Sequence, residues 1–244
     1  MNFEQAIVDN PTDIALRLVY ADWLEEQGDD RAEFVRLDCE LREPTGPLVE
    51  QQAKEERWLE MWQDLDEEWL ERLFTIGIPT DEAKCLLAHS GYSGTEQVIA
   101  ETTRTGTIRP ENRLSTENFE IMFRKRGTRP SYTTIADFRV KNRRTHAIKE
   151  LFHPENYGFV IVSAHEMNTI FQNLEQGWDT FRDRFPESAG TVQFSRVGFN
   201  HTRTEAVFYW GQQVAPLMGF GNYFFYKKMG GQWVRAGVQT LWIS

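Results

Sequence analysis

The period of the apolar residues changes along this 244-residue chain, and the change sets its fold class. Up to about residue 74 the apolar positions recur every three or four residues, as on one face of a helix. The clearest instance is Leu16, Val19, Tyr20, Trp23 and Leu24, at i, i+3, i+4, i+7 and i+8. From residue 191 onward apolar and polar positions alternate, which is the period of a strand. Four such runs, over 191–199, 205–212, 223–228 and 232–243, are divided by turn signals such as Lys228-Met229-Gly230-Gly231-Gln232. A short apolar run over 158–163 adds a fifth strand. The expectation is an α+β chain. A small helical bundle over 1–74 precedes a second domain over 80–244, in which helices pack on a C-terminal antiparallel β-meander. Residues 75–79 link the two.

Within the bundle the expected helices cover 3–9 and 11–27, the second with Asn10 as cap and Pro11 in its first turn. Gly28 ends that helix, and Asp29-Asp30 cap a third, whose Phe34, Leu37 and Leu41 share a face. A long charged helix anchored by Trp58, Trp62, Trp69 and Leu73 follows, interrupted near Asp64-Leu65-Asp66. In the second domain helices are expected over 81–89, 95–103, 133–140 and 144–152. The stretch 105–116 reads as loop, and Phe119, Ile121 and Phe123 alternate as a strand. One long helix over 164–185 opens with Ser163 and, three residues on, Glu166, a capping-box pattern. The three glycines and Pro216 between Gly211 and Gly221 read as a loop.

Charge divides at the same place. Residues 1–79 hold 21 acidic and 7 basic side chains, and 80–244 hold 16 and 20, so the halves carry −14 and +4 of the net −10. The two halves are expected to dock on each other. Phosphates would be repelled by the first half, so nucleic acid is an unfavoured partner there. No apolar run is long enough to span a bilayer, and the first residues lack a signal-peptide pattern, so a cytoplasmic location is expected. Cys39 and Cys85 stand alone and read as small buried hydrophobes.

Residue types that carry chemistry are scattered along the chain. His89, His146, His153, His165 and His201 are isolated from one another, and no paired spacing suggests a metal site. No nucleophile elbow or phosphate-binding loop is present, so no catalytic residue and no cofactor is assigned. Alternation along 195–200 puts Arg196 and Asn200 on one face. If a helix covers that face, Arg196 needs a carboxylate, with Asp179 or Glu205 as candidates. Trp178, Arg196, Asn200 and Tyr223 form the candidate ligand pocket. The basic segment Arg124, Lys125, Arg126, Arg143 and Arg144, interleaved with Tyr132 and Phe138, is the nucleic-acid candidate. In the bundle, Arg17, Asp22, Arg31 and Arg36 are the polar groups that packing leaves over. Asp22 is expected to reach Arg31 or Arg36 across the helix junction, as a structural clamp.

The run RLVYADWLEE over 17–26, continued by Gly28-Asp29, Arg31, Glu33-Phe34 and Arg36-Leu37, resembles the bacterial repeat-companion domain. EEWL over 67–70 looks like the tail of the same domain, and Ala32 departs from its usual glycine. The resemblance implies a helical module at the front of varied proteins, without an activity to transfer. No repeat array follows it here. GWD at 177–179, SRVGFN at 195–200, GNY at 221–223, GQW at 231–233 and WIS at 242–244 resemble a group of uncharacterised bacterial proteins. Members often carry cysteines near 211–219, where this chain has none. The functional expectation is a non-catalytic protein-interaction module whose partner is another protein. The alternatives are a ligand-binding or hydrolase-like domain with an NTF2-like cone-shaped pocket, and nucleic-acid binding through 124–144.

Overall fold

A computed structural model describes residues 2–43, 45–62, 64–74, 79–90, 96–104, 130–151, 158–173, 176–200 and 202–244. The front of the chain forms helices α1 (Phe3–Asp9), α2 (Ile14–Glu26), α3 (Arg31–Arg42), α4 (Leu48–Trp62) and α5 (Glu67–Phe74). Asp13, not Asn10, caps α2, its carboxylate accepting from the Leu16 amide at 2.9 Å. The interruption expected near 64–66 is real, and Asp66 accepts from the Trp69 amide to start α5. Phe34 sits at the centre of this bundle, with ring centroids 4.9 Å from Trp58, 5.1 Å from Phe74 and 6.0 Å from Trp69.

The remainder orders as α6 (Pro79–Ser90), β1 (Glu96–Ala100), α7 (Tyr132–Lys141), α8 (Ile148–Leu151), β2 (Phe159–Val162), α9 (Ala164–Ile170), α10 (Gly177–Arg184), β3 (Ser188–Phe194), β4 (Gly198–Phe199), β5 (Glu205–Ala215), β6 (Met218–Met229) and β7 (Gln232–Ile243). The sheet order is β2-β1-β3-β5-β6-β7, with β4 paired to β5. β3, β5, β6 and β7 form the expected antiparallel meander. The sheet is nevertheless mixed, because β1 pairs in parallel with both β2 and β3.

Four expectations need correction. Residues 96–100 form a strand and not a helix: Val98 enters one core and Ile99 another, so the strand is buried on both faces and shows no alternation. The helix expected over 164–185 is two, α9 and α10. The stretch between Gly211 and Gly221 is not a loop: β5 and β6 run through it and turn near Pro216-Leu217. Gly221 is needed there because a Cβ would lie 2.0 Å from the Trp242 indole nitrogen. The strand expected over 191–199 stops at Phe194 and resumes only as β4. The strand expected through Phe119, Ile121 and Phe123 lies outside the described residues.

Helices cover both faces of the sheet. On one face α6 and α8 bury Cys85, Leu86 and Ile148 against Phe194, Phe208 and Phe224. On the other, α9 and α10 bury Trp178 and Phe181 against Val98 and Val162. Beside them α7 lays Ile135 and Phe138 on Val207, Tyr209, Tyr223 and Phe225. Every residue of α7 from Thr133 to Lys141 is buried, because its opposite side, Ala136 and Val140, belongs to the core of the bundle. This helix is therefore shared by the bundle and the sheet.

Candidate functional site

The densest polar chemistry of the described residues lies where α7 meets the segment 195–199. Between β3 and β4 the backbone leaves the ladder, so its amides and carbonyls need other partners. Side chains from α6 and α7 supply them. The Glu82 carboxylate accepts from the Val197 amide at 3.0 Å, and Asp137 accepts from the Phe199 amide at 2.7 Å. Lys141 donates to the Val197 carbonyl at 2.9 Å, and Asn142 both accepts from the Arg196 amide and donates to its carbonyl. Gly198 permits this approach, since a Cβ there would lie 2.4 Å from the Phe138 backbone nitrogen.

The same side chains pair among themselves. Lys141 lies 2.9 Å from Asp137 and 3.3 Å from Glu82, and Arg196 lies 2.8 Å from Glu82 and 3.4 Å from Glu71 on α5. Burial pushes the Glu82 carboxyl up, but Lys141 and Arg196 outweigh it and hold the group below its ordinary value. Arg196 is correspondingly raised: burial alone would lower it, and Glu82 reverses the sign. Glu82 and Lys141 are sealed from solvent at 1% and 0% exposure, so no substrate reaches the centre of this cluster. What the arrangement does chemically is hold a loop and join three helices to the sheet.

The four residues of the candidate pocket sit apart. Trp178 packs against Phe171 and Phe181 in the α9–α10 core. Tyr223 meets Phe138 edge-on beneath α7. Asn200 closes the turn before β5, accepting from the Thr204 and Glu205 amides. Arg196 pairs with Glu82 and Glu71 and not with the expected carboxylates. Asp179 instead faces Arg182, and Glu205 accepts from the Ser131 amide. A small cavity of about 10 Å³, bordered by Asp38, Arg42, Trp58, Phe74 and Asp137, has room for one water. Burial raises the Cys39 thiol to about 12 and the Cys85 thiol well above its ordinary value, so both stay protonated at neutral pH. Among the described residues no group of three His, Cys, Asp or Glu side chains has metal-site geometry, and no helix is long and apolar enough to cross a membrane.

Of the nucleic-acid candidates, Arg124, Lys125 and Arg126 lie outside the described residues. Arg143 stacks on Trp62 at 4.1 Å and donates to the Trp62 and Leu65 carbonyls. Arg144 pairs with Glu71 at 2.6 Å. Both thus face the acidic bundle. Sequence reasoning missed Glu71 and Glu82, and it missed the buried roles of Asp137 and of Lys141, which it counted only as part of the basic segment 124–144. No local signal marked the last two: at helical spacing Asp137 and Lys141 fall with Thr133 and Thr134 on the one side of 133–141 that carries no apolar residue, which reads as a solvent-facing side.

The outer surface of the bundle is a different kind of site. Arg17 is only 1% exposed; it donates to the Leu73 carbonyl at 2.6 Å and to the Pro11 carbonyl, over the face of Phe74. Its burial turns α2 so that the inward face is Arg17, Tyr20, Ala21 and Leu24. Val19 and Trp23, expected on the packed face, are instead 52% and 42% exposed. Around them Arg36 bridges Asp22 and Glu25 at 2.7 Å each, while both carboxylates stay about two-thirds exposed. Arg31 pairs with Asp29 and lies over Trp69. No family model, curated protein or solved structure matches the chain.

Proposed function

We propose that this chain is a non-catalytic protein-interaction protein whose bundle offers the outer face of α2 to a basic partner. The observation that carries the reading is the exposure of Val19 and Trp23, four residues apart, on a helix whose opposite face is locked by Arg17. Exposed Trp on a rigid helix is the kind of anchor that dominates binding energy in interfaces. Asp22, Glu25 and Glu26 line the same surface, within a half that carries −14. Complementary charge would steer a Lys/Arg-rich surface toward it. The resemblance of 17–37 to a module found ahead of varied domains supports the same reading. A ligand-binding role is less favoured, because the polar groups that would define a pocket are spread over separate parts of the fold.

Affinity purification from the native cell, run in parallel with the wild type and the double variant Val19→Asp/Trp23→Asp, tests this. The expected outcome is a stable partner recovered by the wild type and lost by the variant, with the variant still folded by circular dichroism. Recovery of that partner by both proteins, or of none by the wild type, would overturn the proposal.

A further inference from the structure

The sheet ends on one side with β2, four residues long, and on the other with β7, which has twelve. Among the described residues β7 pairs only with β6, so its outer edge presents unpaired amides and carbonyls. Edge strands are usually guarded by lysines, prolines, short length or bulges. Here the guard is thin. β7 has no proline and one charge, Arg235, in a chain that is 26% charged. Bulges fall at Ala236 and Leu241, and between them Gly237, Val238, Gln239 and Thr240 keep a regular ladder with Phe225, Phe224, Tyr223 and Asn222. Val234, Leu241 and Ile243 are 45%, 40% and 78% exposed along this strand.

We propose that β7 pairs antiparallel with β7 of a second copy of this chain, joining two sheets into one across a twofold axis. The occupant follows from charge and symmetry. An axis perpendicular to the sheet through Val238 sets Val238 beside its own counterpart and Gly237 beside Gln239, keeping side chains of like face together over 237–239, between the bulges. The only charges on the strand, the two copies of Arg235, are then six residues apart along the edge. That is roughly 20 Å at about 3.3 Å per residue, beyond the screening length of about 8–10 Å. Leu241 and Ile243 of each copy come to lie beside the 233–235 stretch of the other, uncharged but for Arg235. A strand with several charges would be matched poorly by an edge whose one charge is Arg235. The proposal is independent of the α2 face.

Sedimentation velocity on the full chain over a range of concentrations reads the outcome. The expected species has twice the chain's 28.6 kDa. Leu241→Lys and Thr240→Lys, both at exposed positions, are each expected to return it to the monomer mass with unchanged circular dichroism. Three results would overturn the proposal: a monomeric wild type throughout, a dimer that survives both substitutions, or a dimer abolished by Val19→Asp/Trp23→Asp instead. Open-ended assembly without a dimer plateau would also count against it.

Discussion

At the residue scale, the charges Glu82, Arg196, Lys141 and Asp137 are buried together and pair with one another, with Glu71 and the backbone of 197–199 as further partners. Removing one leaves an uncompensated charge in the interior, which typically costs about 3–5 kcal/mol. Lys141→Met is therefore expected to lower unfolding free energy by that order in urea titration, far more than an exposed lysine change. The cluster also sets an acid limit. Because Glu82 titrates below its ordinary value when folded, it adds stability above the unfolded carboxylate pKa and loses it as pH falls through the depressed folded value. His89 acts in a higher window. Burial, with a smaller push from Arg235, lowers it from 6.5 to about 4 among Phe208, Trp210, Phe224 and Tyr226. Its neutral form is the one the fold favours, so its contribution is complete above about 6.5 and fades as pH falls toward about 4. Melting curves across that range should flatten in His89→Gln relative to the wild type. Neither group was legible as special in the sequence. A lone histidine or glutamate in a helical stretch gives no local mark of the rings or cations that the tertiary fold brings to it.

At the element scale, α2 and α7 each bury a face that their sequence does not mark. In α2 the apolar spacing placed the helix correctly but misjudged its rotation. Arg17 counts as polar in any periodicity, yet it is buried because the last carbonyls of α5 need a donor. The leftover apolar residues, Val19 and Trp23, are thereby turned outward. Val19→Asp is expected to change stability by within about 0.5 kcal/mol; Trp23→Asp also removes ring contacts with Phe3 and Tyr20 and costs more, though less than Tyr20→Ala on the buried face. In α7 the helix was legible, while its burial on all sides was only hinted at by Ile135, Ala136, Phe138 and Val140. Its contact with β4 depends on a missing side chain. Gly198→Ala would force the Phe138 backbone away from the strand, and overpacking of this kind typically costs about 1–3 kcal/mol. A fall in melting temperature with retained secondary structure is the expected reading. The sheet shows the converse limit of sequence: Val98-Ile99 lacks alternation because both faces of β1 are covered, and Gly219 and Gly221 mimic a loop because Trp242 lies over the strand.

At the scale of the whole molecule, composition suggested two units and a charge boundary, and the fold joins them through shared structure. Ala136 and Val140 fill the bundle core, while Ile135 and Phe138 fill the sheet core from the same helix. Glu71 of α5 reaches Arg144 and Arg196, and Arg143 lies on Trp62. Such a joint makes the bundle a fixed platform for α2 and not a tethered module, which matters for binding because a preformed surface loses less entropy on association. Bundle and sheet are thereby expected to stand or fall together through α7. Native-state hydrogen exchange in rising urea, read separately on peptides from α3 and from β5–β6, tests it most directly. Both sets are expected to lose their slowest protection through one opening of equal free energy and equal urea dependence. Opening of α3 at distinctly lower urea, with β5–β6 still protected, would contradict it.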